Sequence, residues 1–261
     1  MTRIAHLSDF HLLEPAIRAR RGQAWLRVNY LSLKRALDYE QRRARASAAL
    51  AEARRAGFEQ LVLTGDLTED GALPQYEVLA EVLVESGIDP ARITLVPGNH
   101  DAYGLGWDEA LDGPLAPWAA TSRHGAVTRL RGCSVVAVST AVVQSVVRSS
   151  GRVEAGALDI VDKVARESRR RPVVLAQHHP PFAVAHQWVH GLVNHREVTG
   201  LLHAHRTVSV LHGHTHQRRE RALELGGPAR IFSTGAVVTD ALPLRMYAAA
   251  DGAVHSLATG A

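Results

Sequence analysis

Five short polar motifs, each placed directly after an apolar run rich in β-branched residues, constrain this sequence more than any other feature. Apolar runs of this length and composition are typical of buried strands. Side chains that follow the ends of such strands converge at one edge of a sheet. The chain must therefore fold so that the motifs meet. They are Asp9-Phe10-His11, Gly65-Asp66, Gly98-Asn99-His100-Asp101, His178-His179-Pro180-Pro181 and Gly213-His214-Thr215-His216.

The apolar runs alternate with helical patterns, and this alternation predicts an α/β layered fold. We predict strands over 3–8, 60–64, 92–96, 134–139, 172–177 and 207–211, and later ones over 229–234, 244–249 and 254–257. We predict helices over 46–56, 73–86, 155–170 and 197–205. Because little helix separates the last three strands, a mixed sheet or a two-sheet sandwich flanked by helices fits better than a purely parallel sheet.

Length and composition set the class of protein. With 261 residues, 46% of them apolar and 21% charged, the chain is predicted to form a single domain over 1–261. No run of about 18 uncharged apolar residues occurs, and the first residues lack an apolar signal region, so a cytoplasmic location is expected. The single cysteine, Cys133, cannot form an internal disulfide and is predicted to lie in the core.

Residues 15–45 separate the first predicted strand from the first predicted helix of the main fold. Within them, Leu26, Tyr30, Leu33 and Leu37 recur at i, i+4, i+7 and i+11. This spacing predicts an inserted amphipathic helix beside the mouth of the site that the motifs form. Its apolar face is expected to pack on the core of the same chain or on a second copy.

Basic charge is concentrated in residues 18–55, which carry eleven Arg or Lys against three acidic residues. One explanation is a solvated helical cover. The alternatives are a platform for an anionic substrate or a peripheral contact with acidic lipid headgroups, because Trp25 and Tyr30 lie among the arginines. The sequence leaves these explanations open.

The side chains in the motifs form a set of potential metal ligands: two carboxylates, one amide oxygen and four imidazoles. Such a mixed nitrogen and oxygen set suits Zn, Fe or Mn. Seven ligands are too many for one tetrahedral ion, so we expect two cations that share one carboxylate. Two divalent cations, two carboxylates and a bridging hydroxide leave a net charge of about +1, which would attract a phosphodiester anion. The hydroxide, rather than a side chain, would be the nucleophile.

In their order and spacing, the motifs DxH, GD, GNHD, HHPP and GHTH resemble those of the calcineurin-like metallophosphoesterases over Asp9 to His216. The residues of these motifs are most similar to those of bacterial cyclic-nucleotide and glycerophosphodiester phosphodiesterases. The resemblance implies a four-layer α/β/β/α sandwich of two mixed sheets. It also implies two divalent metal ions per chain (Mn, Fe, Zn or Co) and hydrolysis of a phosphoester.

The resemblance also implies a role for each residue. Asp9, His11, Asp66 and His216 would bind one metal, and Asp66, Asn99, His178 and His214 the other. In the histidine doublet the family pattern selects His178 as the ligand. His179 would then contact a ligand or the substrate, and Asn99 would also contact the substrate. His100 would stabilise the transition state or protonate the leaving oxygen, with Asp101 orienting its ring.

Motif residues that differ from those of other branches of the family narrow the range of expected substrate classes. The second motif lacks the Asp-Arg-Gly of the protein phosphatases, and GNHD replaces their GNHE, so protein substrates are not favoured. Lipid-A-pathway hydrolases carry an arginine where His100 stands. A small phosphodiester is the leading substrate class. The alternatives are a nuclease, a lipid-phosphate or pyrophosphate hydrolase, and a non-catalytic scaffold. Few aromatic residues and no nucleic-acid module speak against nucleic acid.

Histidines outside the motifs receive other interpretations. His6 lies within the first predicted strand, on the face opposite to Asp9, and is expected to be a hydrogen-bonded core residue. The segment 182–194 contains His186, Trp188, His190 and Asn194 after a double proline. It is either a lid that faces the substrate or a packing loop.

Overall fold

A computed structural model describes residues 1–168, 170–223 and 227–258. The strands are β1 (Thr2–Leu7), β2 (Gln60–Thr64), β3 (Ile93–Val96), β4 (Val127–Arg129), β5 (Ser134–Ala137), β6 (Val173–Ala176), β7 (Val208–His212), β8 (Arg219–Ala222), β9 (Arg230–Ser233), β10 (Arg245–Ala250) and β11 (Ala253–Leu257). The α-helices are α1 (Gly22–Leu31), α2 (Tyr39–Ala56), α3 (Leu73–Glu85), α4 (Trp107–Asp112), α5 (Ala119–Ser122), α6 (Ala155–Ser168), α7 (Gln187–His190) and α8 (His195–Ala204). Single 3₁₀ turns cover Ile17–Ala19, Pro90–Arg92, His100–Ala102 and Ala116–Trp118.

The strands form two mixed sheets. The first has the order β11-β10-β1-β2-β3, in which β1, β2 and β3 are parallel and β10 is antiparallel to both of its neighbours, β1 and β11. The second has the order β4-β5-β6-β7-β9-β8, with four parallel central strands and an antiparallel strand at each edge. The prediction of a mixed two-sheet architecture is confirmed.

Alternating side chains of the strands build three apolar layers. Leu7 and Leu63 pack under α2 and α3, whereas Ile4 and Val62 face the second sheet. On the outer side of the second sheet, side chains such as Leu175 pack against α6 and α8. Because each sheet buries both faces, its central strands are continuous apolar runs. The result is the four-layer α/β/β/α sandwich that the motif resemblance implied.

Some elements extend beyond their predicted bounds or were not predicted. The helix expected from Ala46 begins at Tyr39, because the Asp38 side chain accepts a hydrogen bond from the Gln41 amide at 2.9 Å and caps it. Strand β8 is exposed along its whole length and therefore has no apolar pattern. The helix predicted over 155–170 ends at Ser168 in the structure, and Arg169 lies outside the described residues.

Two predictions about buried residues are confirmed. His6 is fully buried, with Nε2 2.7 Å from the Thr64 hydroxyl and Nδ1 3.1 Å from the Tyr247 hydroxyl. Cys133 is buried in the layer between the two sheets. Within the part of the chain that the structure describes, no helix combines the length and apolar character needed to cross a membrane.

The inserted segment differs from its prediction. The helix ends at Leu31, and Leu26, Tyr30 and Leu33 are 68%, 47% and 76% exposed instead of packed. Leu37 is partly buried against Val28 and its neighbours in a small separate cluster. The helix stops before Ser32, because the Ser32 hydroxyl donates a hydrogen bond to the buried Glu69 carboxylate at 2.8 Å. Three of the four residues of the periodic apolar face are therefore exposed to solvent.

Candidate metal centre

The motif residues converge at the carboxyl ends of β1, β2, β3, β6 and β7. Neighbouring motif loops are joined by backbone hydrogen bonds, from the Asp9 amide to the Gly65 carbonyl at 3.0 Å and from the His11 amide to the Asp66 carbonyl at 2.9 Å. Besides the group His11, Glu69 and His100, two groups of side chains result, and within each group one ligand atom per residue lies within 4.8 Å of the others. They are Asp9, His11, Asp66 and His216, and Asp66, His178 and His214. Both groups contain Asp66.

Several donor atoms in these groups are buried and make no hydrogen bond to the described residues. They include both oxygens of the Asp9 carboxylate and both ring nitrogens of His11, and the same holds for Oδ1 of Asn99, the expected amide ligand outside these groups. His216 Nε2 approaches Asp9 Oδ1 to 3.0 Å, but without hydrogen-bond geometry. Leaving such groups unsatisfied costs about 1–3 kcal/mol each, more when they are charged. Divalent metal ions bound to these nitrogen and oxygen atoms would offset that cost, so the cluster fits a metal site.

The backbone at the ligand positions is strained. Of the seven non-glycine residues with positive φ in the described chain, five are predicted ligands: Asp9, His11, Asp66, His214 and His216, with φ between 49° and 65°. Each such conformation is unfavourable for an L-residue by roughly 1–2 kcal/mol. Residues held in this way cluster at functional sites, where the surrounding structure over-determines them.

The glycines of the motifs allow the ligands to approach one another. A Cβ at Gly65, where φ is 90°, would lie 2.4 Å from Nδ1 of His178. A Cβ at Gly98 would lie 2.2 Å from Oδ1 of Asp66. Any side chain at either position would displace a predicted ligand.

Hydrogen bonds to one ring nitrogen orient the histidine ligands. His178 donates from Nδ1 to the Thr64 carbonyl at 2.7 Å, which leaves Nε2 3.4 Å from Asp66 Oδ1. His214 donates from Nε2 to the His190 carbonyl at 2.7 Å, and its Nδ1 lies 3.2 Å from Nε2 of His178. One nitrogen of each ring therefore faces the shared site, as for histidine ligands whose other nitrogen is fixed by an oxygen.

The protonation of these rings depends on burial and on the carboxylates. Burial lowers the pKa of His11 and of His214 to about 3, so both are neutral at neutral pH, as metal ligation requires. Burial would also lower the pKa of His178, but the Asp66 carboxylate raises it to about 9. His178 therefore carries a proton in the metal-free protein, and metal binding must displace it.

Glu69 is the functional residue that the sequence interpretation missed. Its carboxylate is fully buried, with Oε2 3.3 Å from Nδ1 of His11. It accepts hydrogen bonds from Ser32 and Arg35 at 2.8 Å each and from Arg42 at 2.5 Å. The acidic pair Glu69-Asp70, which follows the Gly-Asp motif after two intervening residues, is the signal that could have indicated a carboxylate behind the ligands.

The arginines of residues 18–55 are more than a solvated cover. Arg35 and Arg42 bind Glu69, and Arg20 and Arg27 bind the fully buried carboxylate of Asp70. The interpretation of this stretch as a solvated face is wrong for these four residues. Two adjacent buried carboxylates beside the ligands need cations, and the inserted segment supplies them.

His100 lies against the candidate metal groups. Its amide donates to Asp66 Oδ1 at 3.0 Å, and its ring Nδ1 lies 2.7 Å from the Glu69 carbonyl. The Nε2 atom is therefore left to face the site, 4.0 Å from Asp66 Oδ2. The side chain is 12% exposed, so a substrate can reach it.

Asp101 does not orient His100, which corrects that expectation. Its carboxylate accepts hydrogen bonds from the amides of Leu67, Thr68 and Gly98 and from the Thr68 hydroxyl, at 2.7–3.1 Å. Asp101 therefore joins the second and third motif loops. The Glu69 carbonyl takes the role that had been expected of Asp101, because the turn after β2 brings it to the imidazole.

His179 is also placed differently from its predicted contact with substrate. It is fully buried, with Nδ1 2.7 Å from the Thr140 hydroxyl and Nε2 2.9 Å from the Ser149 carbonyl. Its ring packs against His214, with centroids 4.6 Å apart. Both ring nitrogens are occupied by the protein, so His179 supports a candidate ligand and is not available to substrate.

The segment 182–194 combines packing with proximity to the site. The side chain of Asn194 is bonded to both backbone groups of Val153, and that of Gln187 donates to the Leu192 carbonyl. The carbonyl of His190 binds His214. Trp188 is 65% exposed, with the Arg148 guanidinium 5.3 Å from its ring centre.

Comparison with known proteins agrees with this geometry. The family model for calcineurin-like phosphoesterases matches residues 2–218. This chain belongs to that family. A curated 3',5'-cyclic-nucleotide phosphodiesterase from Nostoc sp. (strain PCC 7120) is 27% identical over 186 residues, which cover 71% of this chain and 59% of the relative. The chain thus matches less than two thirds of that relative's length.

Solved structures with low sequence identity share the fold of this phosphoesterase. A dimetal phosphatase from Danio rerio has a TM-score of 0.71 at 14% identity, with 98% of both chains covered. The protein TT1561 of Thermus thermophilus has a TM-score of 0.57 at 14% identity, also with 98% of both chains covered. At these identities the similarity establishes the fold alone. The family and the two His and Asp clusters together indicate a dinuclear divalent metal site.

Proposed function

We propose that this calcineurin-like phosphoesterase hydrolyses small phosphodiesters at a centre of two divalent metal ions. The observation that carries the proposal is the pair of His and Asp clusters joined through Asp66. One metal would be held by Asp9, His11, Asp66 and His216. The other would be held by Asp66, Asn99, His178 and His214. Mn, Fe, Zn and Co are all compatible with this donor set.

Two divalent cations, when bound, lower the pKa of coordinated water and stabilise the charge of a phosphoryl group. The protein contributes the fixed geometry of the ligands. Oxygen atoms of Thr64 and His190 hold the rings of His178 and His214 on their outer nitrogens. The Glu69 carboxylate lies 3.3 Å from Nδ1 of His11, without hydrogen-bond geometry. These contacts hold the histidines in place before any substrate arrives, which favours catalysis.

His100 is the residue proposed to assist the leaving group. Hydrolysis breaks the bond between phosphorus and the leaving oxygen while a water oxygen bonds to phosphorus, so the departing alkoxide needs a proton. The Nδ1 atom of His100 is bound to a carbonyl oxygen, and its Nε2 faces the site. In its doubly protonated form the ring can therefore deliver that proton from Nε2 and be reprotonated from solvent, a contribution typically worth about 10²–10⁴ in rate.

A small diester suits the site better than a polynucleotide. The charge balance leaves about one positive charge, which attracts a singly charged phosphodiester group in either kind of substrate. The Nostoc relative is named as a phosphodiesterase of cyclic nucleotides, which supports the same substrate class. Four arginines that could contact a nucleic-acid backbone, Arg20, Arg27, Arg35 and Arg42, are bound to Glu69 or Asp70.

A substrate panel tests the proposal. Chelated protein is reloaded with Mn²⁺ and assayed on bis(p-nitrophenyl) phosphate, p-nitrophenyl phosphate, cyclic nucleotides, glycerophosphodiesters and oligonucleotides. We expect diester hydrolysis well above monoester hydrolysis, and none after chelation. Preference for the monoester or for oligonucleotides would overturn the substrate class. Activity that survives chelation would overturn the metal mechanism.

A further inference from the structure

A cavity of about 660 Å³ lies between α1 and the loop at 144–146, next to His100. Tyr103 forms part of its wall, and the Tyr103 ring lies 5.8 Å from the His100 ring. His100 is also in edge contact with His11, at 4.5 Å between ring centres. The imidazole therefore touches both the candidate metal centre and the wall of this cavity, which we call the α1 cavity. A leaving group that takes a proton from His100 would extend towards it.

The wall of the α1 cavity is fixed by internal hydrogen bonds. The Tyr103 hydroxyl donates to the Arg148 carbonyl at 2.6 Å. Arg27 donates from Nε to the buried Asp70 carboxylate at 2.9 Å and from a terminal nitrogen to the Tyr103 carbonyl at 3.1 Å. A phenol ring and a planar guanidinium are thus held in place before a ligand arrives, which lowers the entropic cost of binding.

Other lining residues come from the exposed face of α1. Leu26 and Tyr30 are one helical turn apart, so they share a face, and both line the cavity. The amides of Gln23 and Gln144 also line it. Apolar and aromatic surfaces with amides between them match a planar heterocycle, which has apolar faces and polar edges. A ligand of this kind would account for the exposure of Leu26 and Tyr30.

We propose that the α1 cavity binds a planar aromatic or heterocyclic group, such as a nucleoside base, on the leaving alcohol of the diester. The inserted segment is then the specificity element, while the motif residues perform the chemistry. This inference rests on the proposed phosphodiesterase function, because it places the leaving alcohol beside His100. It extends that function by assigning a subsite to Tyr30, Arg27 and Tyr103.

The first test measures binding without catalysis. Adenosine is titrated into chelated protein by calorimetry, with Tyr30→Ala as the variant and Leu33→Ala as its control, since Leu33 is 76% exposed on the same segment outside the cavity lining. We expect Tyr30→Ala to weaken adenosine binding at least tenfold and Leu33→Ala to leave it within about twofold. A second variant, Ala24→Phe, fills the cavity and should abolish binding. Absence of adenosine binding to the native protein, or equal binding by all the variants, would overturn the subsite.

The second test compares two diesters on Mn²⁺-loaded enzyme. Tyr30→Ala should lower kcat/KM for 3',5'-cyclic AMP at least tenfold while changing that for glycerophosphoethanolamine less than twofold. An equal loss on both diesters would contradict the subsite and leave the phosphodiesterase function standing. If the native enzyme hydrolyses no diester, the proposed function fails, and adenosine binding then shows separately whether the cavity takes a heterocycle.

Discussion

Replacement of Glu69 by Gln removes one negative charge from behind the candidate metal centre without changing the side-chain volume much. Glu69 is fully buried and Arg42, its partner, is 1% exposed. Breaking a buried ion pair on one side is strongly destabilising, by about 3–5 kcal/mol, because the remaining charge stays buried. For a chain of this size, that cost corresponds to a Tm lower by about 6–20 °C.

The same substitution should weaken metal binding. Burial raises the pKa of the Glu69 carboxyl, but its interactions with His11 and the charges of His100 and Arg35 hold that pKa well below its usual value, so the group is ionised. Loss of a carboxylate that supports a histidine ligand typically costs about 10- to 100-fold in metal affinity. We therefore expect Glu69→Gln to need about 10- to 100-fold more Mn²⁺ for half-saturation.

Glu85→Gln is the matched control. Glu85 pairs with Arg43, the neighbour of Arg42 on α2, but Glu85 is 54% exposed. An exposed ion pair contributes about 0–1 kcal/mol. Thermal unfolding of chelated protein and calorimetric Mn²⁺ titration measure both effects for the two variants. If Glu69→Gln matched Glu85→Gln in Tm and in Mn²⁺ affinity, the buried carboxylate would have no positioning role.

Three further predictions follow from the same site. His100→Ala should retain both metals yet lose about 10²- to 10⁴-fold in turnover on a diester with a poor leaving group; unchanged turnover would contradict its role. Asp101→Ala removes four hydrogen bonds, three of them between two motif loops, so metal affinity and Tm should fall together, whereas a loss of turnover alone would contradict a loop-joining role. Mn²⁺ binding should release the His178 proton below pH about 9 and release none well above it, because the raised pKa keeps the ring protonated only below that value. Calorimetry in buffers of different ionisation enthalpy measures the number of protons released, and a number that does not change with pH would contradict this prediction.

The parts of the fold predicted from sequence are those with a strong local signal. The buried parallel strands are continuous apolar runs, so their positions and their terminal motifs could be read directly. Strand β8 is exposed along its length and had no such signal. The start of α2 depends on a single capping contact from Asp38, which a search for apolar periodicity overlooks.

In the candidate site, too, the residues predicted from sequence are those with a local signal. The seven predicted ligands are adjacent to strand ends, so the sheet topology alone brings them together. The supporting contacts depend on long-range packing: the Glu69 carboxylate meets arginines that lie 27 and 34 positions earlier in the chain. No local pattern indicates that Asp101 would bind loop amides instead of the neighbouring imidazole. The apolar periodicity of α1 predicts packing on a core, because such a pattern does not distinguish a core from a cavity.

Two sequence-based expectations stay predictions. They are a cytoplasmic location and a peripheral contact of residues 18–55 with anionic lipid. The free arginine charge available to lipid is smaller than the count suggests, because Arg20, Arg27, Arg35 and Arg42 are bound to carboxylates. Binding to anionic vesicles at low salt would measure what remains.

A Mn²⁺ titration of chelated protein, with bis(p-nitrophenyl) phosphate hydrolysis as the signal, tests the dinuclear centre most directly. At protein concentrations well above the dissociation constants, we predict that hydrolysis rises to its maximum at two equivalents of Mn²⁺ per chain. Asp66 belongs to both ligand groups, so Asp66→Asn should remain inactive at the same ratio. Full activity at one equivalent, or activity that does not depend on added metal, would contradict a centre of two metals joined by Asp66.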